Sequence, residues 1–146
     1  MPNYNPASSL AAAVHNALSN DLAIQSQLGQ IPRLYDYVPE DPIYPYLTYG
    51  ALRIVDESGD DSPLTGHTMT LHIWSRYGGR AEVLDILNAV RRVVESGAVS
   101  PNDARLVGAN VLYMDSFRTS DGRGLHGLIR VSFKTEPVDA ALKEVA

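Results

Sequence analysis

The sequence predicts one α+β domain spanning residues 1–146, an antiparallel β-sheet with two helices packed on one face, in the order α-β-β-β-α-β-β. Three observations carry this expectation. Segments 67–76 and 125–135 alternate between residues that can face a core and residues that can face solvent. Segment 80–96 carries apolar residues at helical spacing. Asp121-Gly122 stands between the last two strand candidates and is a strong hairpin signal.

Taken in order, Ser8 or Ser9 can cap a first helix running to about Ser19, with Leu10, Val14, Ala17 and Leu18 on one stripe. Asn20-Asp21 can cap a short further turn through Leu28, ended by Gly29. Pro32 and Pro39 bracket a short strand, 33–38. Segment 39–45 holds three prolines in seven residues, so it is read as an extended loop. Segment 46–56 is rich in Tyr, Leu, Ile and Val and reads as a strand; 57–66 is a polar loop containing Gly59, Pro63 and Gly66.

In 67–76, Met69, Leu71 and Ile73 share one face, and Thr68, Thr70, His72 and Trp74 the other. In 80–96, Val83, Leu87, Val90 and Val94 form the stripe, widened by Leu84, Ile86 and Val93 and stopped by Gly97. This stripe is expected to bury against Met69, Leu71 and Ile73. Strands 106–119 and 125–135 close the domain, with Leu125, Gly127, Ile129, Val131 and Phe133 on one face of the second. Residues 1–7 and 138–146 are expected to be flexible termini.

Composition narrows the function classes. The chain has 146 residues and can bury a sizeable core. It has no cysteine, which excludes disulfides, cysteine-ligated metals and cysteine nucleophiles and fits assembly in a reducing cytoplasm. No transmembrane segment and no secretory signal are expected, so no membrane partner is either. The formal net charge of −5 disfavours a grip on DNA phosphates. An acidic protein past which DNA slides remains compatible.

No chemistry-bearing constellation emerges. Among His15, His67, His72 and His126, no pair has the helical spacing of a metal site, and His67 and His72 should face opposite ways on their strand. Asp56, Glu57, Asp60 and Asp61 are the densest acidic cluster, but they lack calcium-loop spacing and read as a solvated, mobile loop. Gly122-Arg123-Gly124 lies in a strand–strand turn without a following helix, so a turn is favoured over a phosphate loop. No catalytic, cofactor or metal residues are assigned, and an enzyme is not expected. Arg91-Arg92 reads as a solvated helix face rather than a partner contact. Tyr35, Tyr37, Tyr44, Tyr46 and Tyr49 crowd into fifteen residues around the proline loop. Tyrosine suits both interfaces and strands, and both readings stay open here.

The ordered motifs go further. Ile31-Pro-Arg-Leu-Tyr-Asp-Tyr-Val-Pro is followed by Tyr44-Pro-Tyr-Leu-Thr-Tyr-Gly. Next come Gly66-His-Thr-Met-Thr-Leu-His-Ile-Trp-Ser-Arg and Gly78-Gly-Arg-Ala-Glu, and last Asp121-Gly-Arg-Gly-Leu-His-Gly-Leu-Ile-Arg-Val-Ser-Phe. This series, over about residues 8 to 137, resembles the tail terminator or tail completion family of long-tailed phages, prophages and gene transfer agents. The resemblance implies a virion structural protein at the head-proximal end of the tail. Such a protein forms a hexameric ring that docks on the major tail tube protein, ends polymerisation and meets a head-side connector or stopper. DNA would pass through the ring without specific binding. The alternatives are a neighbouring head–tail joining protein or a small ligand-binding domain. Within this frame the five tyrosines, the acidic residues Asp56, Glu57, Asp60 and Asp61, and Arg123 are the expected interface residues. Gly127 inside its strand marks a bulge or a close approach of another backbone.

Overall fold

A computed structural model of the chain describes residues 4–138. Helix α1 (Pro6–Ser19) starts one turn before the expected serines: Asn5 is the cap, and its side chain accepts the Ser8 N–H at 3.1 Å. Pro6 at the first helical position costs no hydrogen bond there. Residues 6 and 7 are therefore helical rather than part of a flexible terminus. The expectations for 1–3 and 139–146 lie outside the described residues.

Asp21 caps a separate helix α2 (Leu22–Leu28), accepting the Ile24 N–H at 3.0 Å, and Gly29 ends it. Among the described residues the helix layer thus has three members, not two. The expected strand 33–38 shrinks to β1 (Leu34–Tyr35), which pairs parallel with β2 (Tyr46–Asp56) and makes the sheet mixed at that edge. The prolines at 32 and 39 confine it. Arg33 then ties the proline loop down by donating to the Pro45 carbonyl at 2.9 Å.

Strand β3 (Thr65–Ser75), helix α3 (Ala81–Glu95), β4 (Ala104–Arg118) and β5 (Leu125–Pro137) follow the expected order. The sheet runs β1-β2-β3-β5-β4, and every pair beyond β1 is antiparallel. The 119–124 turn closes as a hairpin: Thr119 N–H reaches the Gly124 carbonyl at 3.0 Å, and Asp121 accepts from the Thr119 hydroxyl at 2.6 Å.

The core lies between the helices and one face of the sheet. Met69, Leu71 and Ile73 of β3 and Ile129, Val131 and Phe133 of β5 are buried there beneath Val83, Leu87, Val90 and Val94 of α3. Ile86 and Val93 widen the stripe as expected, but Leu84 does not: it is 44% exposed, having rotated past the buried sector. Gly127 lies where α3 packs tightly against β5. A Cβ there would stand 2.6 Å from Val83 Cγ2 and 3.2 Å from Leu87 Cδ1, so a bare backbone lets α3 settle on β5. The close partner is a helix side chain rather than another backbone. His67 joins this buried face, and its Nε2 bonds the Thr135 hydroxyl at 2.9 Å. His72, five residues on, lies on the opposite face, as the strand period requires.

Candidate assembly surfaces

The helices cover only one side of the sheet, and the other side is organised by a row of rings. Register places Tyr46 opposite Trp74, Trp74 opposite His126, and His126 opposite Phe117. The four side chains therefore line up across β2, β3, β5 and β4. Trp74 stacks on His126 with centroids 3.9 Å apart, and Phe117 meets the same imidazole edge-on at 4.7 Å. The Trp74 indole N–H donates to the Thr48 hydroxyl at 3.0 Å.

One rung away, His72 Nδ1 lies 2.8 Å from His126 Nε2, so one imidazole donates and the other accepts. Burial lowers the pKa of His72, reinforced by the Arg130 guanidinium. Burial lowers that of His126 too, and neighbouring His72 adds to it. Gly50 leaves room for this pair, since a Cβ at that position would stand 2.5 Å from His72 Nε2. Arg130 also donates to Thr70 at 3.2 Å and lies 5.1 Å from the centre of the Tyr113 ring.

The five expected tyrosines do not form one patch. Tyr35, Tyr44 and Tyr46 cluster at the β1 end of the open face, with Tyr44 and Tyr46 centroids 5.0 Å apart. Tyr46 is only 7% exposed and is a packing residue of the subunit. Burial, then its hydrogen bond to Tyr44, pushes its pKa up to about 12. Tyr44 is clasped by Arg76, which lies 4.6 Å over the ring and donates to the hydroxyl at 3.3 Å. Tyr49 lies on the helix side, opposite Leu71, with its hydroxyl 2.8 Å from His15 Nδ1; burial raises its pKa. Only Tyr37, at 90% exposure, stands fully free in solvent.

The acidic segment projects from the β2–β3 end of the sheet. Its loop is stapled by Glu57 N–H to the Leu64 carbonyl at 2.9 Å, Gly59 N–H to the Ser62 carbonyl at 3.0 Å, and Leu64 N–H to the Ser58 hydroxyl at 2.9 Å. Ser58 hydrogen bonds hold the Asp56 carboxyl below the usual range. Glu57 folds over Gly66 and pairs with Lys134, while Asp60 and Asp61 are exposed. Arg123 is exposed at the tip of the β4–β5 turn, its N–H bonded to Asp121 at 3.0 Å. The acidic loop and Arg123 are thus separate surfaces on different connections. The Arg91-Arg92 face is partly engaged within the subunit: Arg91 pairs with Glu95 at 3.3 Å and Arg92 with Asp21 at 2.8 Å.

Sequence reasoning misses the ring row and the state of the sheet edges. β4 is an edge strand whose register slips at two bulges, which put Val107 and Leu112 into solvent at 48% and 51% exposure. At the other edge, β1 covers β2 only at Leu47 and Thr48. Beyond them Ile54, at 53% exposure, and Val55 stand open. Beside this free half of β2 lies a half-open groove of about 690 Å³, lined by Ala12, His15, Tyr49, Leu52 and Met69. Period-2 reading places Trp74 and His126 on the faces away from the core, but their meeting depends on a register that the sequence leaves open. Among the described residues, no group of three or more His, Asp or Glu side chains could hold a metal ion. Nor is any described helix long and apolar enough to cross a membrane.

The family model described as tail completion protein gp17 matches residues 12–136, most of the chain. This chain belongs to that family. It is accordingly a structural protein of a phage-type tail, and its place is the virion tail. Among solved structures it is similar to a chain from the virion of a native gene transfer agent particle. The TM-score is 0.81 at 22% identity, covering 92% of this chain and 99% of that one. The curated proteins compared include no match.

Proposed function

We propose that this chain is a terminator subunit. Copies of it close a hexameric ring on the head-proximal end of the tail tube, stop further addition of tube protein and offer a surface to the head-side connector. Membership of the tail completion family carries this reading. It is supported by a sheet with open strand at both ends, since a ring of one subunit needs two different surfaces that meet head to tail. The role is architectural, with no reaction assigned to the chain. The groove beside β2 is half-open rather than an enclosing cleft, which gives the ligand-binding alternative little support.

The acidic loop has a use in this assembly. It projects toward the tube or lines the opening through which DNA passes without specific binding. On the tube it steers docking onto basic residues. At the opening it repels phosphates over roughly 8–10 Å. Replacing 57–64 with a short Gly-Ser turn separates the two. Overlong tails place the loop on the tube; tails of normal length with failed DNA delivery place it in the channel; normal tails with normal delivery remove the role.

The wider reading is tested in producing cells that lack the chain. Tails of unregulated length that do not join heads are expected by electron microscopy. Tails of normal length, joined to heads, would refute it.

A further inference from the structure

A long open edge strand is normally protected by charge, proline or a covering element. β4 has little of this. Its fifteen residues include no proline and no lysine, and the nine from Leu106 to Met114 include no charge. Its bulges could blunt the edge, yet each one presents an apolar side chain, Val107 or Leu112. At the far side of the same sheet, β2 beyond Thr48 has an unpaired row of backbone groups with Ile54 and Val55 exposed. One subunit therefore carries two open edges, separated by the full width of its sheet; on β4 the Val111 N–H already donates to Glu95 Oε2 at 3.4 Å.

We propose that β4 of one subunit adds antiparallel to the free half of β2 in the next copy, so that the sheet runs from subunit to subunit around the ring. This rests on the ring reading above and names its contact. The direction follows from topology. β2, β3, β5 and β4 alternate in direction, so β4 runs opposite to β2 within one subunit. Rotation about an axis along the strands preserves that relation between neighbours.

Three features point to a second copy as the occupant. The contact is heterologous, and both of its halves are present on one chain. Charge permits the contact: antiparallel addition brings Arg105, which pairs with Glu136 in its own subunit, toward Asp56 and the following Asp60 and Asp61, where its guanidinium has donors to share with a second carboxylate. Shape agrees as well. In a continuous sheet the helix-side residues of β4, Met114 among them, arrive on the helix side of β2, where the groove lined by Ala12, Leu52 and Met69 opens. Exposed Met114 thereby gains an apolar site.

Two blocked variants test this. V107K/L112K disables the β4 edge and leaves β2 free; I54K/V55K does the reverse. Native mass spectrometry, on the protein alone and on protein released from tail tubes, should find wild-type rings and neither variant in rings. An equimolar mixture of the variants should yield dimers, because one good edge of each kind remains. Rings formed by either variant alone would overturn the edge contact while leaving the ring reading standing. Absence of wild-type rings both free and on tubes would overturn both. If a lysine variant fails to fold, amide exchange on the wild type replaces it. New protection along 104–118 and 49–56 on assembly supports the contact, and unchanged exchange there overturns it.

Discussion

β5 and β4 are hydrogen-bonded neighbours of similar length, yet they are built on different rules. β5 alternates buried and half-buried residues from Leu125 to Thr135 without a break, because helix α3 covers one of its faces and strands flank both of its edges. β4 has a strand on one side only, slips register twice, and leaves Val107, Leu112, Tyr113, Met114 and Phe117 exposed. In β5 the residue pattern is fixed by packing inside the subunit. In β4 that constraint is relaxed, and the exposed apolar residues make sense as a surface completed in an assembly.

The largest expected effect lies on the β5 side. Leu87→Ala empties a fully packed position over the sheet and should cost roughly 2–5 kcal/mol in denaturant unfolding. A loss well under about 1 kcal/mol would place α3 on the wrong face.

Glycine substitution sharpens the contrast. Gly127→Ala sets a methyl 2.6 Å from Val83 and should destabilise by roughly 1–3 kcal/mol through overpacking. The same change at Gly108 in β4 meets only Lys134 Cγ at 3.8 Å, and should stay within about 0.5 kcal/mol. Equal costs at the two sites would erase the distinction.

Acid should act through the histidines. His67, His72 and His126 all have pKa values lowered by burial. Below about pH 6.5 the unfolded chain therefore binds more protons than the folded one. Stability should decline as pH falls from there and level off once the folded-state values are passed. Thermal melts from pH 8 to 5 read this directly, and His126→Gln should flatten the slope. A melting temperature that rises toward pH 5 would show the sign to be wrong. The smallest effect on folding is expected at the β4 edge, where Leu112→Lys should shift stability by no more than about 0.5 kcal/mol.

The same comparison explains what the sequence reveals. Where one face is buried, periodicity is enforced, so β3, β5 and the α3 stripe are legible, as is the tight place at Gly127. Where tertiary context decides, the pattern misleads. Leu84 looks like core but lies just past the buried sector of α3. The expected strand 33–38 has the residues of a strand but pairs with β2 only at Leu47 and Thr48. Asn5 outcompetes the two serines because Pro6 is suited to the first helical position. The tyrosine cluster is visible by density, but density does not say that Tyr46 is buried while Tyr37 is free. The His72–His126 bond joins residues 54 positions apart and requires the β3–β5 register. The bulge at Leu112 leaves no local mark comparable to a glycine or proline, whereas Gly108 stands directly after the one at Val107.

The central claim is that copies of this chain end the tail tube. It is tested most directly by polymerising the tube protein with increasing amounts of the purified chain and imaging the products by electron microscopy. The account predicts shorter tubes as the chain is added, each closed at one end by a ring with six-fold averages. Tubes of unchanged length with bare ends at every ratio would contradict it.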